Sequence, residues 1–194
     1  MLMSRSSASY HHGNLRAALL DAADAMLAES GSASLSLREV ARRAEVSHNA
    51  PYHHFADRTA LLKALAERHM SRLLEAQRTV ASSSNASTRL RDVGRAYVGY
   101  AVAHPQGFGV VFDPEVCVPG QPSPTMAPLI EANEQILAEI VRDVAPELDP
   151  DARASAEAGL WAFVHGLAEL IIAGHLPPES AESAVDGLAA VIAR

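Results

Sequence analysis

An all-α chain is what the residues predict, and three observations carry that prediction. Apolar residues recur at spacings of three and four rather than two, which is the helical period. Alanine and leucine are abundant while aromatic residues make up only 5% of the 194 residues, a balance that favours helices over strands. Segment after segment closes on glycine or proline, and no stretch alternates as a strand does.

Taken in order, residues 1–12 ("MLMSRSSASYHH") are small, polar and aperiodic, and read as a loose N-terminal arm. From Asn14, a candidate N-cap, "NLRAALLDAADAMLAESG" sets Leu15, Leu19, Ala22, Ala23, Met26 and Leu27 on one face and stops at Gly31. A second, two-turn helix opens at Ser36 with Glu39 three residues on, the capping-box pattern, and buries Leu37, Val40, Ala41 and Ala44. "EVS" is short enough only for a tight turn. Ser47 then caps a third helix from about His48 to Phe55, and Asp57 caps a fourth, "RTALLKALAERHMSRLLEAQRTV", with Leu61, Leu62, Leu65, His69, Leu73 and Val80 in a stripe. After the polar break "ASSSNAS" come a helix stopped before Pro105, a short helix or turn in "QGFGVVFDP", a proline-rich loop, and a helix ended before Pro146. Two closing helices, about 149–173 and 179–193, are divided by "GHLPPES". The expected organisation is a three-helix head over 13–73 and a larger helical body over 74–194.

Two short helices joined by a three-residue turn and backed by a longer first helix form a helix-turn-helix, about 36–55, whose second helix is shaped for a DNA major groove. If Val46, Ala50, Pro51 and Phe55 turn inward, Ser47, His48, Asn49, Tyr52 and His53 face out as short hydrogen-bonding groups. Asn49 suits bidentate contact to adenine, His48 a base edge or phosphate, and Tyr52 and His53 phosphate oxygens. Arg38 and Arg42 share an outer face of the preceding helix. Arg58 sits in the first turn of its helix, where a cation opposes the macrodipole at a cost of roughly 0.3 to 1 kcal/mol, and this points to a phosphate partner. Pro51 falls early enough to forfeit one intrahelical bond and leave a stiff, short helix.

Charge agrees with that division. The net charge is -7, yet residues 1–60 hold six arginines and six carboxylates, so all of the excess lies in the remainder. A neutral head on an acidic body suits a protein whose head alone approaches phosphate. No metal is expected: His48, His53 and His54 are five or six apart or adjacent, not the three or four that puts two ligands on one helical face. The single Cys117 cannot form an internal disulfide. No apolar run is read as a bilayer span, which takes roughly 18 residues, so a soluble cytoplasmic protein without a membrane partner is expected.

The stretch "LSLREVARRAEVSHNAPYHHFADRTALLKAL", within residues 13–73, resembles the DNA-binding domain of TetR-type transcriptional regulators. The shared pattern is Leu-Ser-Leu-Arg-Glu-Val-Ala, Val-Ser before the recognition helix, Tyr-x-x-Phe at its end, and a basic residue opening the next helix. Arg58 stands where the family usually has lysine, and Pro51 where it usually has leucine. The resemblance implies DNA contact through Arg38, Ser47, His48, Asn49, Ala50, Tyr52, His53, His54 and Arg58. In the body, "WAFVHG" places Trp161, His165 and Gly166 as in the Trp-His-Gly subclass of C-terminal domains. The resemblance further implies an effector cavity and a homodimer built from the last two helices. Leu160, Phe163, Val164, Leu167, Leu170, Ile171 and Ile172 nearly encircle one of these helices, which independently calls for burial against a partner.

The aromatic and adaptable groups of the body, Tyr97, Tyr100, His104, Phe108, Phe112, Met126, Trp161 and His165, are the candidates to line that cavity. The expected function is a transcriptional regulator, a repressor released from a near-palindromic double-stranded operator by a small-molecule effector. No cofactor or catalysis is expected. The alternative is a helical small-molecule-binding protein, or an enzyme built on Cys117, His104, His165 and Glu169, with a vestigial head.

Overall fold

A computed structural model describes residues 8–82 and 85–192, and every regular element among them is helical. The helices are α1 (Ala8–Ser30), α2 (Leu37–Arg43), α3 (Arg58–Val80), α4 (Ala86–Ala103), α5 (Pro105–Phe112), α6 (Ala127–Val144), α7 (Pro150–Ile172) and α8 (Ser180–Ile192), with single 3-10 turns at Ser32–Ser34 and Ala50–His53. Their starts follow local chemistry. Ser36, Asp57, Asn85 and Asp149 each accept a hydrogen bond from the backbone N–H three residues on, at 3.2, 2.7, 2.8 and 2.8 Å, satisfying one of the donors a helix leaves open.

Two elements differ from the sequence reading. Helix α1 begins at Ala8, not at the Asn14 cap. Gly13 is the residue in that lead-in that most disfavours a helix, at a cost of about 1 kcal/mol, which a 23-residue helix absorbs. The remainder of the expected arm, residues 1–7, lies outside the described residues. The expected α-helix from His48 to Phe55 is instead a 3-10 turn over Ala50–His53. Pro51 has no N–H to give the Ser47 carbonyl and its ring crowds that carbonyl in an α-helix. The carbonyl is taken by Ala50 N–H at 2.9 Å, Asn49 O by Tyr52 at 3.2 Å and Pro51 O by His54 at 2.9 Å, so the chain winds more tightly.

The described residues divide into two compact units, those up to 68 with 106–121, and those of 69–105 with those from 122 onward. In the first, Leu19, Ala23 and Leu27 of α1, Val40 of α2, Phe55, and Leu61 and Leu65 of α3 are all but inaccessible. This is the 3.6-residue stripe of three helices meeting in one core. In the second, α4 packs against α6, α7 and α8, and α7 against α6 and α8. Leu90, Val93, Ile140 and Ala189 form its centre, with Ile136, Val144 and Leu160 packed around them. Gly94 permits that approach: a Cβ there would stand 3.1 Å from Val185 Cγ1.

Helix α7 modifies one expectation. By length and composition it is apolar enough to cross a membrane, the one such helix among the described residues, and only 17% of its most apolar window is buried. Core helices of water-soluble proteins pass the same test of composition. What needs explanation is the outer face.

Candidate nucleic-acid interface and effector cavity

The head is built from capping and turn chemistry upward. Ser36 Oγ accepts from Glu39 N–H, while the Glu39 carboxylate turns to Arg42, accepting from Nε at 2.9 Å, so only one half of the capping box forms. Helix α2 ends in a Schellman motif. Val46 N–H reaches Ala41 O at 3.0 Å and Glu45 N–H reaches Arg42 O at 3.2 Å, with Glu45 at φ 55° in the left-handed position usually given to glycine. Those bonds fix the angle at which the chain leaves α2. Ser47 Oγ then accepts from Asn49 N–H at 3.3 Å, starting the recognition segment.

Pro51 and Phe55 are buried, anchoring that segment to the core, and the Arg16 guanidinium lies 5.3 Å above the Phe55 ring. Ser47, His48, Asn49, Tyr52 and His53 are exposed, with Tyr52 at 53% of full accessibility, whereas Ala50 and His54 are half-buried. Arg38 is exposed and makes no hydrogen bond or ion pair among the described residues. Arg43 is committed elsewhere: it grips Glu29 bidentately at 2.7 and 2.5 Å, tying α2 to the end of α1. Its hydrogen bonds hold the Glu29 carboxyl below its ordinary value, partial desolvation opposing and the Arg43 charge reinforcing.

Arg58 has an internal explanation that the sequence did not reveal. Its Nε donates to Leu35 O at 2.9 Å and its Nη2 to Ser32 O at 2.7 Å. A cation at the head of α3 is thus offset by two carbonyls of the α1–α2 connection. The broken macrodipole rule is accounted for within the fold, so it no longer argues for phosphate. The side chain stays largely exposed all the same.

In the second unit a cavity of about 50 Å³ opens among α3, α4, α6, α7 and α8. Of the eight candidates, Tyr97 and Trp161 line it. Trp161 Nε1 donates to the Tyr97 hydroxyl at 3.3 Å, and that hydroxyl lies 3.1 Å from His165 Nδ1, so His165 supports the wall through Tyr97. Burial pushes the Tyr97 hydroxyl well above the usual phenol range; the bond from Trp161 opposes this and the Glu169 carboxylate reinforces it. It stays protonated and can donate a hydrogen bond to His165 Nδ1.

The other candidates are not among the lining residues. Tyr100 bonds His69 Nδ1 at 2.8 Å and packs on His104 at 4.7 Å. Phe108 and Phe112, four apart on α5, pack on each other at 4.8 Å and belong to the first unit. Met126 is buried at the start of α6, its N–H given to Ser123 Oγ. Gln77 and Asn133, which the sequence reading passed over, do line the cavity. The signal was present: Leu61, Leu65, His69, Leu73 and Gln77 fall every four residues on α3, a polar end to an apolar stripe.

A buried-core trihelical head presenting an exposed polar segment after a tight turn, on a chain whose remainder is helical, defines a helix-turn-helix regulator. Sequence comparisons agree: residues 19–65 match the bacterial regulatory proteins of the tetR family, and residues 90–192 the tetracyclin repressor-like C-terminal domain. The chain belongs to the TetR family of transcriptional regulators. The C-terminal description does not single out the Trp-His-Gly subclass, which rests on Trp161, His165 and Gly166 alone.

Among solved structures, one from Rhodococcus sp. RHA1, of a protein of unknown function, is 33% identical, covers 97% of this chain and 100% of its own, and superposes with a TM-score of 0.80. PfmR, a TetR family transcriptional regulator from Thermus thermophilus, is 20% identical over 91% of this chain and 97% of its own, TM-score 0.68. A TetR-family transcriptional regulator from Bordetella parapertussis 12822 is 20% identical over 92% and 95%, TM-score 0.64. At those identities the last two speak to the fold alone. No curated protein matches the sequence.

Proposed function

We propose that this regulator is a homodimeric repressor that leaves a near-palindromic operator when a small molecule fills its second unit. The observation that carries the reading is the exposed ridge of Ser47, His48, Asn49, Tyr52 and His53 on a helix-turn-helix, beside an uncommitted Arg38. Asn49 reads a base edge, Ala50 offers its methyl to thymine, and Arg38, Tyr52, His53 and the remaining donors of Arg58 hold phosphate, while the half-buried His54, its Nε2 enclosed, lies beside them. Such a protein works in the cytoplasm, where its DNA is.

Dimerisation accounts for the outer face of the closing helices. Leu170 and Ile172 of α7 and Val191 of α8 are exposed, Val191 at 68%. The same two helices of a second copy cover them and form a four-helix seam, and a two-fold pair sets two recognition segments about 34 Å apart on successive major grooves. Helix α3 runs unbroken from Arg58 to Val80 and carries Gln77 into the cavity wall, so a ligand seated there acts on the helix that follows the recognition segment. A coupling of about 1 to 3 kcal/mol is enough to release DNA.

Catalysis has little support. Burial pushes the Cys117 thiol up, Glu67 and Asp113 adding to the shift and Lys63 opposing it, the reverse of what a nucleophile requires.

The reading is tested by selection from a random duplex pool at moderate salt, followed by gel-shift titration and sedimentation of the complex. A near-palindromic consensus bound by two chains is expected. Failure to enrich any sequence, or a single chain on a single half-site, would remove it.

A further inference from the structure

We infer that the cavity selects an uncharged, largely apolar molecule carrying a hydrogen-bond donor, which it offers to the side-chain carbonyls of Gln77 and Asn133. The inference rests on reading the second unit as an effector module, and on no property of the head. Two observations lead to it. Among the described residues lining the cavity there is no Asp, Glu, Lys, Arg or His, and the wall is mostly aliphatic and aromatic. A carboxylate, phosphate or ammonium group brought there loses its hydration with no opposite charge to replace it.

The second observation is the state of the polar groups that are present. Gln77 is only 5% exposed, and its Oε1, like Asn133 Oδ1, is enclosed and accepts no hydrogen bond from any described residue. A buried carbonyl left so costs the fold its desolvation and gains nothing until a donor arrives. The third polar anchor is already used: the Tyr97 hydroxyl is engaged by Trp161 and His165. Polar recognition therefore falls to the amides of Gln77 and Asn133, on α3 and α6, whose enclosed carbonyls a guest meets once wall side chains shift.

Size adds a constraint. At about 50 Å³ the space takes only a few waters, each needing roughly 10 to 15 Å³. A larger guest must displace part of the wall, and Trp161, 45% exposed and held by a long 3.3 Å bond, is the wall's large side chain with room to move outward. It is also the chain's one tryptophan, so its fluorescence reports occupancy directly.

The test uses the whole chain and three probes of like size, with ketone absorbance corrected for: cyclohexanol, which donates, cyclohexanone, which only accepts, and cyclohexanecarboxylate at pH 7, which is charged. Cyclohexanol is expected to shift Trp161 emission at a concentration at least about tenfold below the other two, the effect of one satisfied buried acceptor. In Gln77→Leu and in Asn133→Leu the advantage over cyclohexanone should shrink, and in the double substitution vanish. Melting curves accompany each variant, and since leucine removes an orphaned amide, the folded state should persist. A carboxylate that binds as well as the alcohol, a preference for alcohol that survives both substitutions, or no response to any probe would overturn the inference. Gel shifts without any probe separate the two readings: a protein that binds no duplex even probe-free while its probe discrimination is intact sinks the regulator, and probe-free duplex binding without that discrimination sinks the ligand class alone.

Discussion

Glu45 is the sharpest place to test how the head is built. Its φ of 55° lies in the left-handed region, which costs an L-residue roughly 1 to 2 kcal/mol. Glycine escapes that cost but loses about 0.5 to 1 kcal/mol through the extra freedom of its unfolded chain. The net gain for Glu45→Gly therefore lies between about 0 and 1.5 kcal/mol, with its centre at about 0.75, and in a chain of this size 1 kcal/mol moves Tm by roughly 2 to 4 °C. A rise of about 1 to 4 °C is expected by calorimetry. The same change removes an exposed carboxylate from the turn just ahead of Ser47, so duplex affinity at low salt should rise as well. Glu45→Gln separates the two effects, since it removes the charge and keeps the backbone penalty: affinity should increase while Tm stays put. Equal Tm values for the glycine and glutamine variants, or a lower Tm for glycine, would refute the account of the turn.

Two further predictions concern charged side chains of the head. Arg58→Ala should cost about 1 to 2 kcal/mol, because the Leu35 and Ser32 carbonyls lose a charged donor, and Arg58→Lys should recover only part of this, as an ammonium cannot match the two-carbonyl fork; chemical denaturation measures it, and an unchanged midpoint would show that Arg58 serves DNA alone. Glu29, held below 4.5 by Arg43, contributes stability above that value in the folded head and loses it as pH falls through its lower folded pKa. Glu29→Gln should thus lower Tm at pH 7, with the gap to the parent closing in acid and narrowing in high salt; a gap that widens as pH drops would contradict the pairing.

Much of the fold was legible because its causes are local. Ser36 and Asp57 read as caps since a short oxygen two or three residues ahead of an apolar stripe can satisfy an open N–H whatever lies elsewhere. The proline-stopped ends of α4 and α6 follow equally from sequence. Pro51 was half legible: its missing N–H was foreseen, but the switch to 3-10 winding depended on which carbonyl the Ala50 N–H would take. The exposure of Ser47, His48, Asn49, Tyr52 and His53 follows because a buried Phe55 and Pro51 fix the phase of the segment.

What stayed hidden depends on residues far apart in the chain. The internal partners of Arg58 are invisible in the sequence because the carbonyls it donates to, at Ser32 and Leu35, stand more than twenty positions earlier. The effector candidates were chosen by residue type, and type does not say that Phe112 will meet Phe108 while Tyr100 meets His69. Gln77 shows the limit most clearly. An amide in an apolar stripe is ordinarily satisfied by a neighbour, and only the surrounding side chains of α4, α6, α7 and α8 reveal that no described donor reaches it. Asn133 repeats the pattern on α6, three residues after Ile130 and four before Leu137. Had either faced solvent it would carry no information. Two acceptors without a described protein donor, on helices that both line one uncharged cavity, are polar contacts that the proposed ligand, or water in its place, can satisfy.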